Sequence, residues 1–124
     1  MFTGIVEVAG RVKAVTPRGK GWSLEVEAGE VAQGAKVGES IAVNGCCLTV
    51  TGVKGGVVTF DLLDETRSKT NLKALQPGVR VNLEGALRAD GKVGGHFVTG
   101  HIEATAKVTK WGRAGQDWEI GRAH

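Results

Sequence analysis

Ser40-Ile41-Ala42-Val43-Asn44-Gly45-Cys46-Cys47-Leu48-Thr49-Val50-Thr51 is the stretch that decides the fold. Two short apolar runs flank Asn44-Gly45, the residue pair favoured in two-residue hairpin turns, so the stretch reads as a β-hairpin. The pattern continues on both sides. Lys54-Gly55-Gly56 turns the chain into Val57–Leu62, and beyond Pro77-Gly78 the residues Val79, Val81 and Leu83 alternate with Arg80, Asn82 and Glu84. Upstream, Trp22, Leu24 and Val26 alternate with Ser23, Glu25 and Glu27, a strand with one wet face. Ile5 to Val15 reads as a strand interrupted at Gly10, where a missing side chain suits a bulge or sharp bend. Asp64 is placed to cap a short helix over Glu65–Lys69, and a second turn is expected over Leu72–Leu75. Six short strands with small helical plugs predict an all-β, six-stranded antiparallel Greek-key closed barrel, because closure removes exposed strand edges.

Composition agrees with that reading. The 124 residues include 20 glycines but 2 prolines, which suits many tight turns between strands. A net charge of +3 comes from scattered Lys and Arg rather than a basic run, and six Phe and Trp with no Tyr advertise no base-stacking platform, so nucleic acid is not an expected partner. No basic leader followed by an apolar core and no apolar run of about 18 residues is present, which predicts a cytoplasmic protein with no membrane partner. Cys46 and Cys47 are neighbours, poorly placed to bond to each other, and are expected to be reduced thiols.

The opening of the chain recurs 96 residues later. Laying Met1–Glu25 over Phe97–Gly121 matches Thr3/Thr99, Gly4/Gly100, Glu7/Glu103, Val12/Val108, Gly19/Gly115 and Trp22/Trp118. These six identities exceed the roughly two expected by chance. Between the copies, residues 85–95 lose the strand pattern in favour of polar residues and glycine. The expected division is a first barrel over 1–88, a linker over 89–95 and the start of an incomplete second barrel over 96–124.

Chemistry-bearing residues collect in three places. Asn44–Val50 carries amide, thiol and hydroxyl groups with Ser40 just upstream, and Cys47 and Thr49, two apart on a strand, share a face. The stretch reads either as a ligand pocket or as a buried strand in which cysteine is a small hydrophobe. Asp61-Leu62-Leu63-Asp64-Glu65-Thr66 ends a strand and begins a helix, so it offers either ligand contacts or simple capping. Gly94-Gly95-His96 and Thr99-Gly100-His101 bring two imidazoles near each other. No metal is expected, since two histidines without suitably spaced cysteine or carboxylate partners form a weak ligand set.

Taken in order, Met1-Phe2-Thr3-Gly4-Ile5-Val6-Glu7, Asn44–Val50, Phe60-Asp61-Leu62 with Glu65-Thr66, Thr70-Asn71-Leu72 and Gly94-Gly95-His96 through Gly100-His101 resemble the α-type riboflavin synthase family of lumazine-binding-domain proteins. The resemblance implies tandem six-stranded barrels and no cofactor. It implies dismutation of two 6,7-dimethyl-8-ribityllumazine molecules, by transfer of a four-carbon unit, to riboflavin and a pyrimidinedione. Proximity of two stacked rings in a dry pocket would promote that chemistry. By the same resemblance, Ser40, Cys47, His101 and Phe2 would stand at the reacting rings. Thr3, Gly4, Ile5, Val6, Thr49, Asp61, Leu63, Glu65, Thr66 and His96 would bind the substrate. The family places its active site between barrels of neighbouring subunits in a trimer, which makes a homo-oligomer the expected state, with a two-fold dimer of first barrels as another form. A non-catalytic lumazine- or flavin-binding fragment, or an antenna-type lumazine protein, is the alternative function. One departure from the family pattern is Glu84-Gly85, where Glu-Arg is common.

Overall fold

The computed structural model describes residues 1–122; the last two residues of the expected 96–124 unit lie outside them. The chain forms strands β1 (Val8–Arg18), β2 (Gly21–Glu27), β3 (Ser40–Val43), β4 (Cys46–Lys54), β5 (Val57–Leu63) and β6 (Arg80–Gly85). These close into an antiparallel barrel of order β1-β2-β5-β4-β3-β6. β6 returns by a long connection to lie beside β3 of the β3-β4-β5 meander, which is the Greek-key arrangement. The expected six-stranded barrel is therefore observed. α1 (Glu30–Gly34) joins β2 to β3 and was not anticipated; α2 (Asp64–Lys69) and a 3-10 turn (Asn71–Ala74) join β5 to β6.

Alternation builds the core. Leu24 and Val26 of β2, Leu48 and Val50 of β4, Phe60 and Leu62 of β5, and Val81 and Leu83 of β6 are all buried, and the residues between them in β4 and β5 face outward. The β3–β4 turn takes Asn44 to φ 49° and Gly45 to φ 78°, the two positive angles a type I′ turn requires. Asn44 also clasps the hairpin to β6. Its N–H donates to the Asn82 carbonyl, and its Oδ1 accepts from Asn82 N–H, each at 2.8 Å.

Three local expectations are corrected. β1 begins at Val8 rather than Ile5. Gly10 is not the site of the bulge, which falls between Val12 and Ala14; Gly10 stays in the ladder opposite Val81. Glycine is required there by crowding, since a Cβ would lie 2.6 Å from Leu83 Cδ1 and 2.8 Å from the Glu27 carbonyl oxygen. Asp64 does not cap α2, whose N-cap is Leu63 without a side-chain cap; Asp64 Oδ1 instead accepts from Trp22 Nε1 at 2.8 Å. The capping hydroxyl sits further on, where Thr70 Oγ1 accepts from Leu72 N–H at 3.1 Å and so starts the 3-10 turn.

Beyond the barrel, β7 (Val108–Ala114) and β8 (Asp117–Arg122) form a separate two-stranded sheet. Its register repeats that of β1 and β2. The pairs Ala14↔Glu25 through Arg18↔Gly21, with 96 added to each number, become Lys110↔Gly121 through Ala114↔Asp117. Even the bulge recurs, between Val12 and Ala14 and between Val108 and Lys110. The two-stranded sheet is consistent with an incomplete second barrel. Its apolar side chains remain in solvent: Trp111, Trp118 and Ile120 are each more than half exposed.

Candidate functional site

The site grows from one hydrogen-bonding rule. In a two-residue hairpin the closing pair, Val43 and Cys46, bond to each other, so the next N–H on β4, that of Cys47, points away from β3. It donates to the Gly100 carbonyl at 2.9 Å. Gly100 belongs to a strap of residues 96–101 that crosses back over the barrel. At Gly100 a Cβ would lie 2.9 Å from Cys47 Cβ and 3.0 Å from Cys47 N, and φ is +80°, so only glycine fits this approach.

The strap is tied to the N-terminal segment as well. Phe2 N–H donates to Val98 O at 2.7 Å and Val98 N–H donates to Phe2 O at 2.9 Å. His96 N–H donates to Thr3 O at 3.1 Å. Positions 2 and 98 differ by the repeat length, so the two copies of the repeat meet at equivalent residues. Each copy makes the same turn: Ile5 N–H donates to Thr3 Oγ1 at 3.3 Å, and His101 N–H donates to Thr99 Oγ1 at 3.4 Å.

Cross-strand register then settles which side chains share a face. Ser40 pairs with Thr49 and Ala42 with Cys47, so these four project outward together while Ile41, Leu48 and Val43 fill the core. Thr49 is exposed and Cys47 half-buried. On β5, Asp61 and Leu63 alternate with the buried Phe60 and Leu62 and also face out, Leu63 being 67% exposed. His101, exposed, follows the residue bonded to Cys47. Cys47 and Thr49 thus share a face near the start of β4, and the strap brings the backbone of His101 next to it.

The other expected site residues divide among several places. Thr3, Ile5 and Ser40 border a cleft of about 720 Å³. Phe2, Gly4 and Val6 border a hollow of about 60 Å³ beside Ala42 and Val98. The Phe2 side chain is only 1% exposed, so it packs beneath the strap rather than over an open pocket. Glu65 is engaged with Lys69: a 2.7 Å hydrogen bond and the ammonium charge hold its carboxyl below the usual range and raise the lysine correspondingly. Thr66 is half-buried, and its carbonyl accepts from Thr70 Oγ1 at 2.8 Å. The exposed His96 side chain makes no hydrogen bond among the described residues. Neither cavity encloses Cys47, Thr49, Asp61, Leu63, Glu65, Thr66, His96 or His101. Thr49, Asp61, Leu63, Glu65, His96 and His101 are exposed, and Cys47 and Thr66 are half-buried. Of the two thiols, Cys46 faces the core, where burial and then neighbouring Cys47 push it above its usual pKa; Cys47 is the accessible one. Among the described residues no group of three His, Cys, Asp or Glu side chains could hold a metal ion, and no helix is long and apolar enough to cross a membrane.

One residue escaped the sequence reading. Glu84 stands at an outward position of β6, yet it is 7% exposed and accepts three hydrogen bonds. These come from Thr3 N–H at 2.7 Å, Thr3 Oγ1 at 2.8 Å and Gly4 N–H at 3.0 Å. Its charge in an alternating strand and its place before Gly85 gave no sign of burial, because its partners lie 81 and 80 positions away.

Comparison with known proteins places this geometry. The family model "Lumazine binding domain" matches residues 3–86. The chain is similar to the riboflavin synthases of Bacillus amyloliquefaciens, 46% identical over 110 residues, and Bacillus subtilis (strain 168), 42% identical over 110 residues. In both, the match covers 89% of this chain and 51% of the relative, so the chain spans about half the length of these curated relatives. Among solved structures it is similar to LumP complexed with flavin mononucleotide, at a TM-score of 0.80 and 29% identity, over 97% of this chain and 67% of that one. LumP has also been solved with 6,7-dimethyl-8-(1'-D-ribityl) lumazine and with riboflavin.

Proposed function

Since the chain belongs to the lumazine-binding domain family, we propose that it binds 6,7-dimethyl-8-ribityllumazine and riboflavin on the face formed by the start of β4, the end of β5 and the strap. The observation that carries this reading is the Cys47 N–H to Gly100 O bond, which ties the strap, one residue before His101, to the strand that bears Cys47 and Thr49. Thr49 and Asp61 supply polar groups on this face, Leu63 an apolar wall, and Thr66 a hydroxyl at the start of α2. Ser40, across from Thr49, joins the same face to the cleft beside Thr3 and Ile5. The accessible thiol of Cys47 and the imidazole of His101 are the groups able to move protons or attack a ring carbon there.

The activity we assign to the protein of which this barrel is part is that of riboflavin synthase. Two lumazines must lie face to face for a four-carbon unit to pass between them, and one barrel face supplies one of the two. The second face comes from a barrel of a neighbouring chain, so the working unit is a homo-oligomer. In this reading residues 1–88 are the first lumazine-binding barrel, 89–95 the linker and 96–124 the start of the second. The second reading, binding without turnover, is favoured by the likeness to LumP across nearly the whole chain.

The two readings separate in a single titration of the purified chain with 6,7-dimethyl-8-ribityllumazine, following ligand fluorescence and the appearance of riboflavin. Multiple turnovers support the synthase. Saturable binding without riboflavin supports the binding module, and absence of binding refutes the proposed face.

A further inference from the structure

We propose that Glu84 is a positioning residue that sets the ligand face from the far side of the strap, holding His101 beside Cys47 through a relay of backbone bonds. The inference rests on the ligand face proposed above, but its mechanical part stands on geometry alone.

A buried carboxylate is costly unless its oxygens are satisfied. Glu84 gathers three donors, all from two consecutive residues, Thr3 and Gly4. The carboxylate therefore fixes both the path of the N-terminal segment and the orientation of its peptide groups. From Thr3 the tie runs two ways into the strap: Thr3 O accepts from His96 N–H, and the preceding Phe2 exchanges two bonds with Val98. Two residues beyond Val98 the strap reaches Gly100, whose carbonyl accepts from Cys47 N–H.

The repeat shows why the relay matters. Thr99-Gly100 copies the turn of Thr3-Gly4, with φ of +84° at Gly4 and +80° at Gly100. The strap bearing His101 is thus held in place by its bonds to a segment that is itself clamped, and Glu84 is the charged anchor at the origin of that chain of contacts.

Glu84→Gln tests this. The amide keeps the shape but places an NH₂ among N–H donors, so one of the three bonds becomes a donor–donor conflict. Amide hydrogen exchange on the ligand-free chain should show Phe2, Val98, His96 and Cys47 losing protection by about tenfold or more, while barrel amides such as those of Val58 and Phe60 change little. Riboflavin affinity, read by fluorescence quenching, should weaken by about tenfold. Val58→Ala is the comparison variant, since it loosens the core without touching the relay. Thr3→Val, which deletes one donor to Glu84 and leaves the charge, is the milder variant should Glu84→Gln fail to fold, and it should loosen the same four amides. Strap amides that keep their protection, or that fall in step with every barrel amide as in Val58→Ala, would overturn the proposal. Selective strap loosening with unchanged riboflavin affinity would also overturn it. If the unaltered chain binds no riboflavin, the ligand reading falls by itself. Selective loosening in Glu84→Gln would then still support the relay, and uniform loosening would still refute it.

Discussion

Gly100→Ala should release the strap from β4 without unfolding the barrel. Two costs add. At φ +80° an alanine carries the left-handed strain of about 1–2 kcal/mol that glycine escapes. Its Cβ would also come within 2.9 Å of Cys47 Cβ and 3.0 Å of Cys47 N, atoms of a strand paired to β3 and unable to recede. The strap must therefore lift, which forfeits the Cys47 N–H to Gly100 O bond, worth about 0.5–1.5 kcal/mol. The sum is about 1.5–3.5 kcal/mol, and it falls on a local opening, so Cys47 amide exchange should quicken by about 10- to 400-fold while the urea midpoint of the barrel stays nearly constant. Gly38→Ala is the control: φ is +92° there, but nothing lies within 4 Å of the added Cβ, so it carries strain without contact. Measured by amide exchange, Cys47 protection in Gly100→Ala no lower than in Gly38→Ala would refute the argument that the strap is held by close approach.

Gly10→Ala should destabilise the barrel by about 1–3 kcal/mol in urea unfolding, because its Cβ meets the Glu27 carbonyl oxygen at 2.8 Å; Gly34→Ala, in α1 with open space around it, should be neutral or stabilising. Thr70→Ala removes the hydroxyl that accepts from Leu72 N–H and donates to the Thr66 carbonyl, so a loss of about 1–2 kcal/mol is expected in the same assay. The Cys46 thiol is raised in the folded state above the value of 9.0 it has when free. Its contribution to stability is then complete below pH 9 and lost as the pH climbs through the higher folded value. The urea midpoint should fall above pH 9, and less so in Cys46→Val. Iodoacetamide should label Cys47 well before Cys46 in the folded chain, and equal rates would contradict the assigned faces.

Local rules were legible in the chain. Asn44-Gly45 specified its turn because few residue pairs accept two positive φ angles, and alternation specified which side chains of β2 and β6 fill the barrel. The 96-residue repeat pointed to the start of a second barrel, and the structure gives β7–β8 the register of β1–β2, whose bulge position the sequence did not reveal. The accessible members of the candidate site were visible as residue types. Their grouping was not: Ser40 and Thr49 share a face only because the hairpin register pairs them, and His101 comes near Cys47 only because the strap crosses the barrel.

What tertiary structure alone decided is what depends on groups far apart in the chain. Gly10 looked like a bend and proved to be a point of close packing, since the oxygen that excludes a side chain belongs to Glu27 on a neighbouring strand. Asp64 looked like a cap and went instead to the indole N–H of Trp22. Glu84 looked like one more solvated charge and became buried, because Thr3 and Gly4 bring three donors to it from the far end of the sequence, 81 and 80 positions away. Turns and strand periods are set by sterics within a few residues, so the sequence by itself determines them. A carboxylate's fate depends on which donors the closed barrel delivers to it, and only the folded chain holds those donors in place.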